Sequence, residues 1–590
     1  MKTHLIIFFI GILHFLSFGQ TISYKINMSE PHTHYFEVEM TIKNYDKDFI
    51  DFQLPVWAPG SYLVREFSKS IENFQAYSNS ENLSFELVNK NTWRVANKNK
   101  DVTIKYKVYA FEMSVRTSFL DADHGYINGT SIFMFVEDLK ELPVSLSINP
   151  YVEWKKITTA LKSSGNNVYT AENYDVFVDA PIEIGNHQTF EFEADGIPHT
   201  VAVFGEGNFS VDSLKKDMKK IAESCTKVFG ENPNKDYTFI VHNLSNSSGG
   251  LEHLNSTTLQ VERWSYAPTS NYQRFLSLVA HEYFHLWNVK RLRPKNLGPF
   301  DYNHECYTEL LWVSEGFTSY YDELLLQRTG YYDNETYLKK LAENITGVEN
   351  QPGNNVQPVS EASFNAWIKA YRRNENSYNT TISYYPKGAI LGLLVDLEII
   401  KATNGSKNLD DLMQVMYSKY FKELDQGFTE ENIKVEIENL LGYNLDLFFN
   451  EYVNGTKTID YNKYFSYVGL ELSNQPLKSG DKINFGAKLS NNEGKLIVKS
   501  VVRGTPAYKF GINAKDEIIA INNYRVDYNT FDKVLNQYAL DDNIEVTVTR
   551  DGVVRNLNIK LEEANMHNFA LKKIENMSEE QKICLEKWLQ

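Results

Sequence analysis

His281-Glu282-Tyr283-Phe284-His285 is the segment of this chain whose residue types and spacing are best suited to chemistry. On a helix, residues four apart share a face, so both imidazoles can reach one divalent cation while Glu282 projects beside them to take a proton from water. That is equipment for hydrolysis. The five-residue pattern also occurs in helices whose histidines are merely surface or core residues, so a third ligand has to be found. Thirty residues further on, Ser314-Glu315-Gly316-Phe317-Thr318 supplies Glu315, a hard carboxylate that completes a two-His, one-Glu zinc set and leaves the fourth position open.

Such a set requires two helices that face each other. Phe275, Leu278 and Val279 form an apolar stripe at helical spacing ahead of the histidines. Leu310, Leu311, Phe317, Tyr321 and Leu324 repeat it across 307–328, before Gly330 stops the helix. The Pro294 and Pro299 loop between them allows the chain to reverse. Apolar flanks favour a buried Glu315 over a solvated one, and Asp322 is a candidate to orient an imidazole from behind. Lys290, Arg291 and Arg293 read as cations complementing the C-terminal end of the metal helix.

HEYFHLWNVKRLRP (281–294) followed by LWVSEGFTSYYDELLL (311–326) resembles the glycyl aminopeptidase family of zinc metallopeptidases, and the similarity runs through almost the whole mature chain. The resemblance implies a multidomain α+β protein: an N-terminal β-sandwich-like domain, a thermolysin-like, mostly α catalytic domain of the gluzincin type and a C-terminal PDZ-like β domain. It places one zinc per chain on His281, His285 and Glu315, with Glu282 as catalytic base.

Two more segments resemble the larger group to which aminopeptidase N belongs. Ser248-Gly249-Gly250-Leu251-Glu252-His253 is similar to the motif that holds a substrate's free amine. A fixed carboxylate at Glu252 would pair with an α-ammonium, while Gly249 and Gly250 let a substrate backbone approach a sheet edge. An ordinary Gly-Gly hairpin with an exposed Glu is the alternative. In Tyr384-Tyr385-Pro386-Lys387-Gly388, Tyr385 takes the position of the group's oxyanion-stabilising tyrosine. Tyr384 competes for that role, and with 37 tyrosines in the chain a packing role for either stays open.

The 590 residues are enough for three to four domains, and 42% hydrophobic with 23% charged residues describes a folded chain. A net charge of −16 without a basic patch argues against nucleic acid. Lys2 and His4 before the apolar run 5–16, then Ser17-Phe18-Gly19, read as a signal peptide cleaved after Gly19, which predicts a secreted or periplasmic protein without a membrane span. Cys225, Cys306 and Cys584 are too few and scattered for a disulfide framework, although one pair could form.

Short alternating runs predict an all-β domain over 20–190, in which Trp57-Ala58-Pro59-Gly60-Ser61-Tyr62 reads as a tight turn flanked by core aromatics, with a cleft-wall role as the alternative. The peptidase domain is expected over 200–455, with helices at 429–441 and 445–452. Residues 484–562 resemble a PDZ domain, whose carboxylate-binding loop lies at Val468-Gly469-Leu470 or Phe485-Gly486-Ala487. The module could take a peptide C-terminus or an intramolecular segment in its groove, or act as a rigid prop. In the tail, 563–590, Ser578 and Gln581 form a capping box before a short helix. The expected activity is removal of small N-terminal residues, Gly or Ala, from peptides with a free N-terminus. An endopeptidase or dipeptidase on the same zinc, or a non-catalytic PDZ peptide-binding protein, are the other readings.

Overall fold

The computed structural model describes residues 20–477, 483–563 and 565–590; the expected signal peptide lies outside them. Its N-terminal domain is β-rich, its central catalytic domain is largely helical and its C-terminal module is PDZ-like. In the first domain, strand Thr21–Asn27 lies between Tyr35–Lys43, antiparallel, and Val144–Asn149, parallel, within an eight-stranded sheet. Its period-two pattern turns Ile22, Tyr24 and Ile26 inward. They share a core with Ile50, Phe52 and Trp93 from a three-stranded sheet and Ile127, Ile182 and Ile184 from a four-stranded one.

The catalytic domain begins with a mixed five-stranded sheet, in the order Gln188–Ala194, Ile197–Phe204, Tyr237–Leu244, Ser256–Glu262 and, at the edge, Gly249–Glu252. The first two form a hairpin with Ala194 opposite Ile197, so a boundary drawn between 190 and 200 would cut a ladder. We propose 187/188 instead. Helices Val211–Phe229, Thr269–Phe284, Gly316–Arg328 and Tyr384–Ala402 cover this sheet and one another around a common core.

The seam between the first two domains holds a buried polar triad. His124 Nδ1 and His242 Nε2 lie 2.8 and 2.9 Å from separate oxygens of Glu183. His124 and Glu183 belong to the N-terminal domain and His242 to the catalytic sheet.

The chain leaves the catalytic core after strand Leu470–Asn474 and returns in Phe569–Lys573, which pairs antiparallel with it. Helix Glu579–Leu589 follows, opened by the Ser578/Gln581 capping box, and buries Trp588 with its indole N–H donating to Tyr320 Oη at 2.8 Å. Between departure and return lies the PDZ-like module, a sheet and short helices around Phe485, Leu496, Val498, Ile518 and Val546. Asn379 of the catalytic domain grips it with two bonds, to the Val501 carbonyl and from the Arg503 N–H, both 2.8 Å. Its groove, a cavity of about 820 Å³ between Ala487–Asn492 and Phe531–Leu535, starts at Phe485-Gly486-Ala487 and faces Thr346 and Asn350 of the catalytic domain. Val468-Gly469-Leu470 belongs instead to the catalytic core, where Val468 and Leu470 are buried.

Candidate metal centre and substrate cleft

Helix Thr269–Phe284 carries the histidine pair on its last turn, with His285 as its C-cap. Its roll is set from the other side. The Tyr283 hydroxyl lies 2.8 Å from His199 Nε2 and accepts from Asn232 Nδ2, also at 2.8 Å, which leaves His281, Glu282 and His285 facing the cleft. Beyond the cap the chain turns away, and Lys290, Arg291 and Arg293, expected to complement the C-terminal end of the helix, are directed elsewhere. Lys290 pairs with half-buried Asp179 at 2.8 Å, and Arg291 donates to the Leu286 carbonyl, the Leu254 carbonyl and Asn234 Oδ1. Burial gives those cations partners of their own, and a helix-end charge effect is not what holds them.

The second helix also differs from expectation. Residues 307–310 are not helical, Leu311–Ser314 forms one short turn, and Glu315 is the pivot into Gly316–Arg328. The pivot is made by backbone contact: a Cβ on Gly316 would fall 2.5 Å from Gly388 Cα, and one on Gly388 would fall 2.5 Å from the Trp312 carbonyl oxygen. Only glycines let the Glu315 segment and helix Tyr384–Ala402 touch this closely.

The structure brings the expected ligands together. His281 Nε2 and His285 Nε2 stand 3.6 and 3.2 Å from one oxygen of Glu315, near the roughly 3.3 Å edge of a tetrahedron with zinc–ligand bonds of about 2.0–2.1 Å. Their other nitrogens are engaged outward: His281 Nδ1 with Asp322 Oδ2 at 2.9 Å, and His285 Nδ1 with the Asn288 carbonyl at 2.6 Å. Each imidazole thus gives its proton to a backing acceptor and turns its Nε2 lone pair inward, as metal ligation requires. Burial alone would raise the Glu315 pKa, but His285 and His281, in the protonated form they take when no metal holds their Nε2 atoms, outweigh it and keep the carboxyl at about 2. Glu282 is 5% exposed, with Oε2 buried and without a hydrogen-bond partner. Burial, reinforced by Glu252 and Glu315, pushes its pKa up to about 7 against the pull of the two histidines. Four carboxylates around two imidazoles, with one orphaned oxygen, fit a divalent cation.

Glu252 ends the edge strand and is 4% exposed, so it is not the exposed residue of a simple hairpin. It shares with Glu282 and His285 a cluster whose ligand atoms all lie within 4.8 Å of one another. Gly250 backs directly onto Glu282, since a Cβ there would sit 2.2 Å from Oε1. Gly249, at φ +128°, has the open backbone that favours glycine. Gly60, in the Trp57–Tyr62 turn, presses on Glu252 so closely that a Cβ would fall 2.6 Å from its Oε1. That turn is a tight one, with Ser61 N–H donating to the Ala58 carbonyl, and it packs directly on the Glu252 carboxylate. Beyond it remains a cavity of about 20 Å³.

Tyr385 stacks over His281 with ring centroids 6.1 Å apart, while Tyr384 is buried in the core. Three residues nearby had no local sequence signal. Tyr371 lies beside Tyr62 with centroids 6.3 Å apart, Arg116 reaches in from the N-terminal domain to the Gly250 carbonyl at 3.4 Å, and Arg65 flanks Arg116. The three cysteines are free thiols.

Family models match residues 23–186 (Peptidase M61 N-terminal domain), 274–391 (M61 glycyl aminopeptidase) and 484–561 (PDZ domain). A crystal structure of an aminopeptidase N family protein from Idiomarina loihiensis is 33% identical, with a TM-score of 0.90 over 97% of this chain and 100% of that one. An M1 zinc metallopeptidase from Deinococcus radiodurans aligns over 75% of this chain and 95% of its own at 13% identity, with a TM-score of only 0.48. A probable CtpA-like serine protease of Staphylococcus aureus is 24% identical over 167 residues, 28% of this chain, which spans only 30% of that relative's length.

Proposed function

The chain belongs to the M61 glycyl aminopeptidase family of zinc metallopeptidases, and on that footing we propose that it removes single small residues from the free N-termini of peptides. The observation that carries this reading is where Glu252 stands: buried at the end of the edge strand, in one cluster with Glu282 and His285 and with Gly60 pressed against its carboxylate, it would stop a substrate chain laid along that strand at its amine. An endopeptidase needs a groove open at both ends.

His281, His285 and Glu315 would hold one zinc per chain, which when bound would polarise the scissile carbonyl and acidify a water. Glu282, buried beside the ligand set with one carboxylate oxygen unpartnered, would accept a proton from the attacking water and pass it to the leaving nitrogen. The Tyr385 hydroxyl donates to the oxygen of the tetrahedral species. Glu252 pairs with the substrate's α-ammonium, and the substrate backbone lies along Gly249 and Gly250 as an added strand. The aromatic crowd of Tyr62, Tyr371 and Tyr385 supports a preference for Gly or Ala at the N-terminus. The leader at 1–19 would deliver the enzyme to the periplasm or the medium, and among the described residues no helix is long and apolar enough to cross a membrane.

The test is hydrolysis of free and N-acetylated Gly- and Ala-peptides, with and without a chelator. Free peptides should be cleaved, acetylated ones spared, and chelator should abolish turnover. Robust cleavage of acetylated peptides would replace the aminopeptidase reading with the endopeptidase one.

A further inference from the structure

Two guanidinium groups in the cleft take no part in the chemistry above. Arg116 sits on a loop of the N-terminal domain that is fastened to the catalytic sheet. The Val115 carbonyl lies 3.2 Å from both Tyr126 Oη and Asn128 Nδ2, and Tyr126 Oη lies 3.0 Å from Thr258 Oγ1, on the strand next to the edge strand. From this fixed base Arg116 Nη2 reaches the Gly250 carbonyl at 3.4 Å, while its Nε is buried without a partner. Arg65 is similarly underused. Its Nη2 donates to Ser61 Oγ at 3.2 Å, its Nη1 stands 3.9 Å from Glu112, beyond hydrogen-bond range, and its Nε is also buried and unpartnered. With Lys69 it lines a cavity of about 210 Å³.

The two cations press on each other. Burial and the neighbouring Arg116 charge lower the pKa of Arg65. Burial works in the same direction on Arg116, but Tyr371, Tyr385, Glu282 and Glu252 outweigh it, which places this guanidinium among the groups of the reacting centre. Arg65 is not compensated in this way, and its unspent N–H donor beside a second guanidinium suits an added anion. The direction of the edge strand says where such an anion would belong. With the substrate's amine at Glu252, its chain runs back along the strand past Gly250, and two extended residues cover about 7 Å, the span of a dipeptide.

We propose that Arg116, backed by Arg65, forms a carboxylate subsite on the leaving-group side of the scissile bond, so that the enzyme prefers short peptides whose C-terminal carboxylate reaches it. The inference rests on the aminopeptidase reading of the same cleft, because Glu252 decides which end of the peptide enters first. The carboxylate can come from a peptide C-terminus or from an acidic side chain just after the scissile bond.

Steady-state kcat/KM on Ala-Ala, Ala-Ala-amide and Ala-Asp-amide separates these sources. Wild type should prefer Ala-Ala to its amide by roughly 10- to 100-fold. Arg116→Gln should bring that ratio close to one, Arg116→Lys should keep part of it, and Arg65→Gln should lower it several-fold. A rate on Ala-Asp-amide near that on Ala-Ala identifies the side chain as a sufficient source, and a rate near that on Ala-Ala-amide assigns the subsite to the C-terminus. Equal wild-type rates on acid and amide, or an undiminished ratio in zinc-replete Arg116→Gln, would overturn the proposal. If Arg116→Gln does not fold, the ratios of Arg116→Lys and Arg65→Gln decide. Should acetylated peptides prove to be substrates, the same acid and amide pair is measured on them, which separates failure of the subsite from failure of the aminopeptidase reading.

Discussion

Among the described residues two imidazoles and a carboxylate meet in two places, and their protons are spent differently. In the triad at the domain seam, His124 and His242 turn toward Glu183 and use separate oxygens, at 2.8 and 2.9 Å, while His242 Nδ1 lies 3.4 Å from Gln260 Nε2. Each carboxylate oxygen accepts from one ring, so the protons lie between the three groups, whose ligand atoms come within 4.8 Å of one another. In the cleft, His281 and His285 commit Nδ1 to Asp322 and to the Asn288 carbonyl, so that both Nε2 atoms converge on one oxygen of Glu315. The same residue types therefore serve as a latch in one place and a ligand set in the other, and the acceptor behind each ring makes the difference.

The comparison is easiest to break with metal analysis. His285→Ala should lose the zinc and bring turnover down to background, whereas Glu183→Gln should keep one zinc per chain; two zincs in wild type, falling to one in Glu183→Gln, would make the latch a second metal site. Glu282→Gln should retain zinc while kcat falls roughly 10²- to 10⁴-fold. A variant turning over at the wild-type rate would remove Glu282 from the chemistry. Glu252→Ala should lower kcat/KM on free-amine peptides by roughly 10²-fold while leaving acetylated ones at their low level. Equal losses on both would reduce Glu252 to a support of the strand.

The latch should appear in stability instead. Glu183→Gln is expected to cost about 3 kcal/mol or more in urea unfolding, with kcat within about twofold of wild type. Acid should act on wild type in the same sense. Burial opposes the charge on Glu183, but His124 and His242 hold its pKa at about 2 against an ordinary 4.5, so its contribution is complete above about pH 4.5 and lost as pH falls toward 2. Burial lowers the His242 pKa too, so protons again bind the unfolded chain first and the two effects add. A shallower acid dependence in Glu183→Gln would sharpen the assignment; an identical one would refute it.

How much of this could be read from sequence followed sequence distance. The histidine helix, Glu315 and the Ser578/Gln581 capping box have local signatures, because helical spacing and capping chemistry are written within a few residues. Arg116 lies 134 positions from the carbonyl it reaches, and Glu183 is 59 positions from each of its histidines, so neither has a periodicity to betray it. The partner of Lys290 is hidden for the same reason, since Asp179 is 111 residues away. Gly60 stands in a recognisable turn, but its place against the Glu252 carboxylate is a tertiary contact that no local pattern announces.

The departure and return of the chain around the PDZ-like module make it a cassette. Asn474 and Phe569 are partners in one antiparallel ladder, so the module is plugged into the catalytic domain by two adjacent pins. Folded domains commonly have neighbouring termini, and closing such an insertion adds little chain entropy. Evolution, or an engineer, could exchange the cassette for another domain of matching end spacing, retargeting the peptidase while Trp588, contributed from the far side of the socket, continues to brace Tyr320 on the helix that starts beside Glu315.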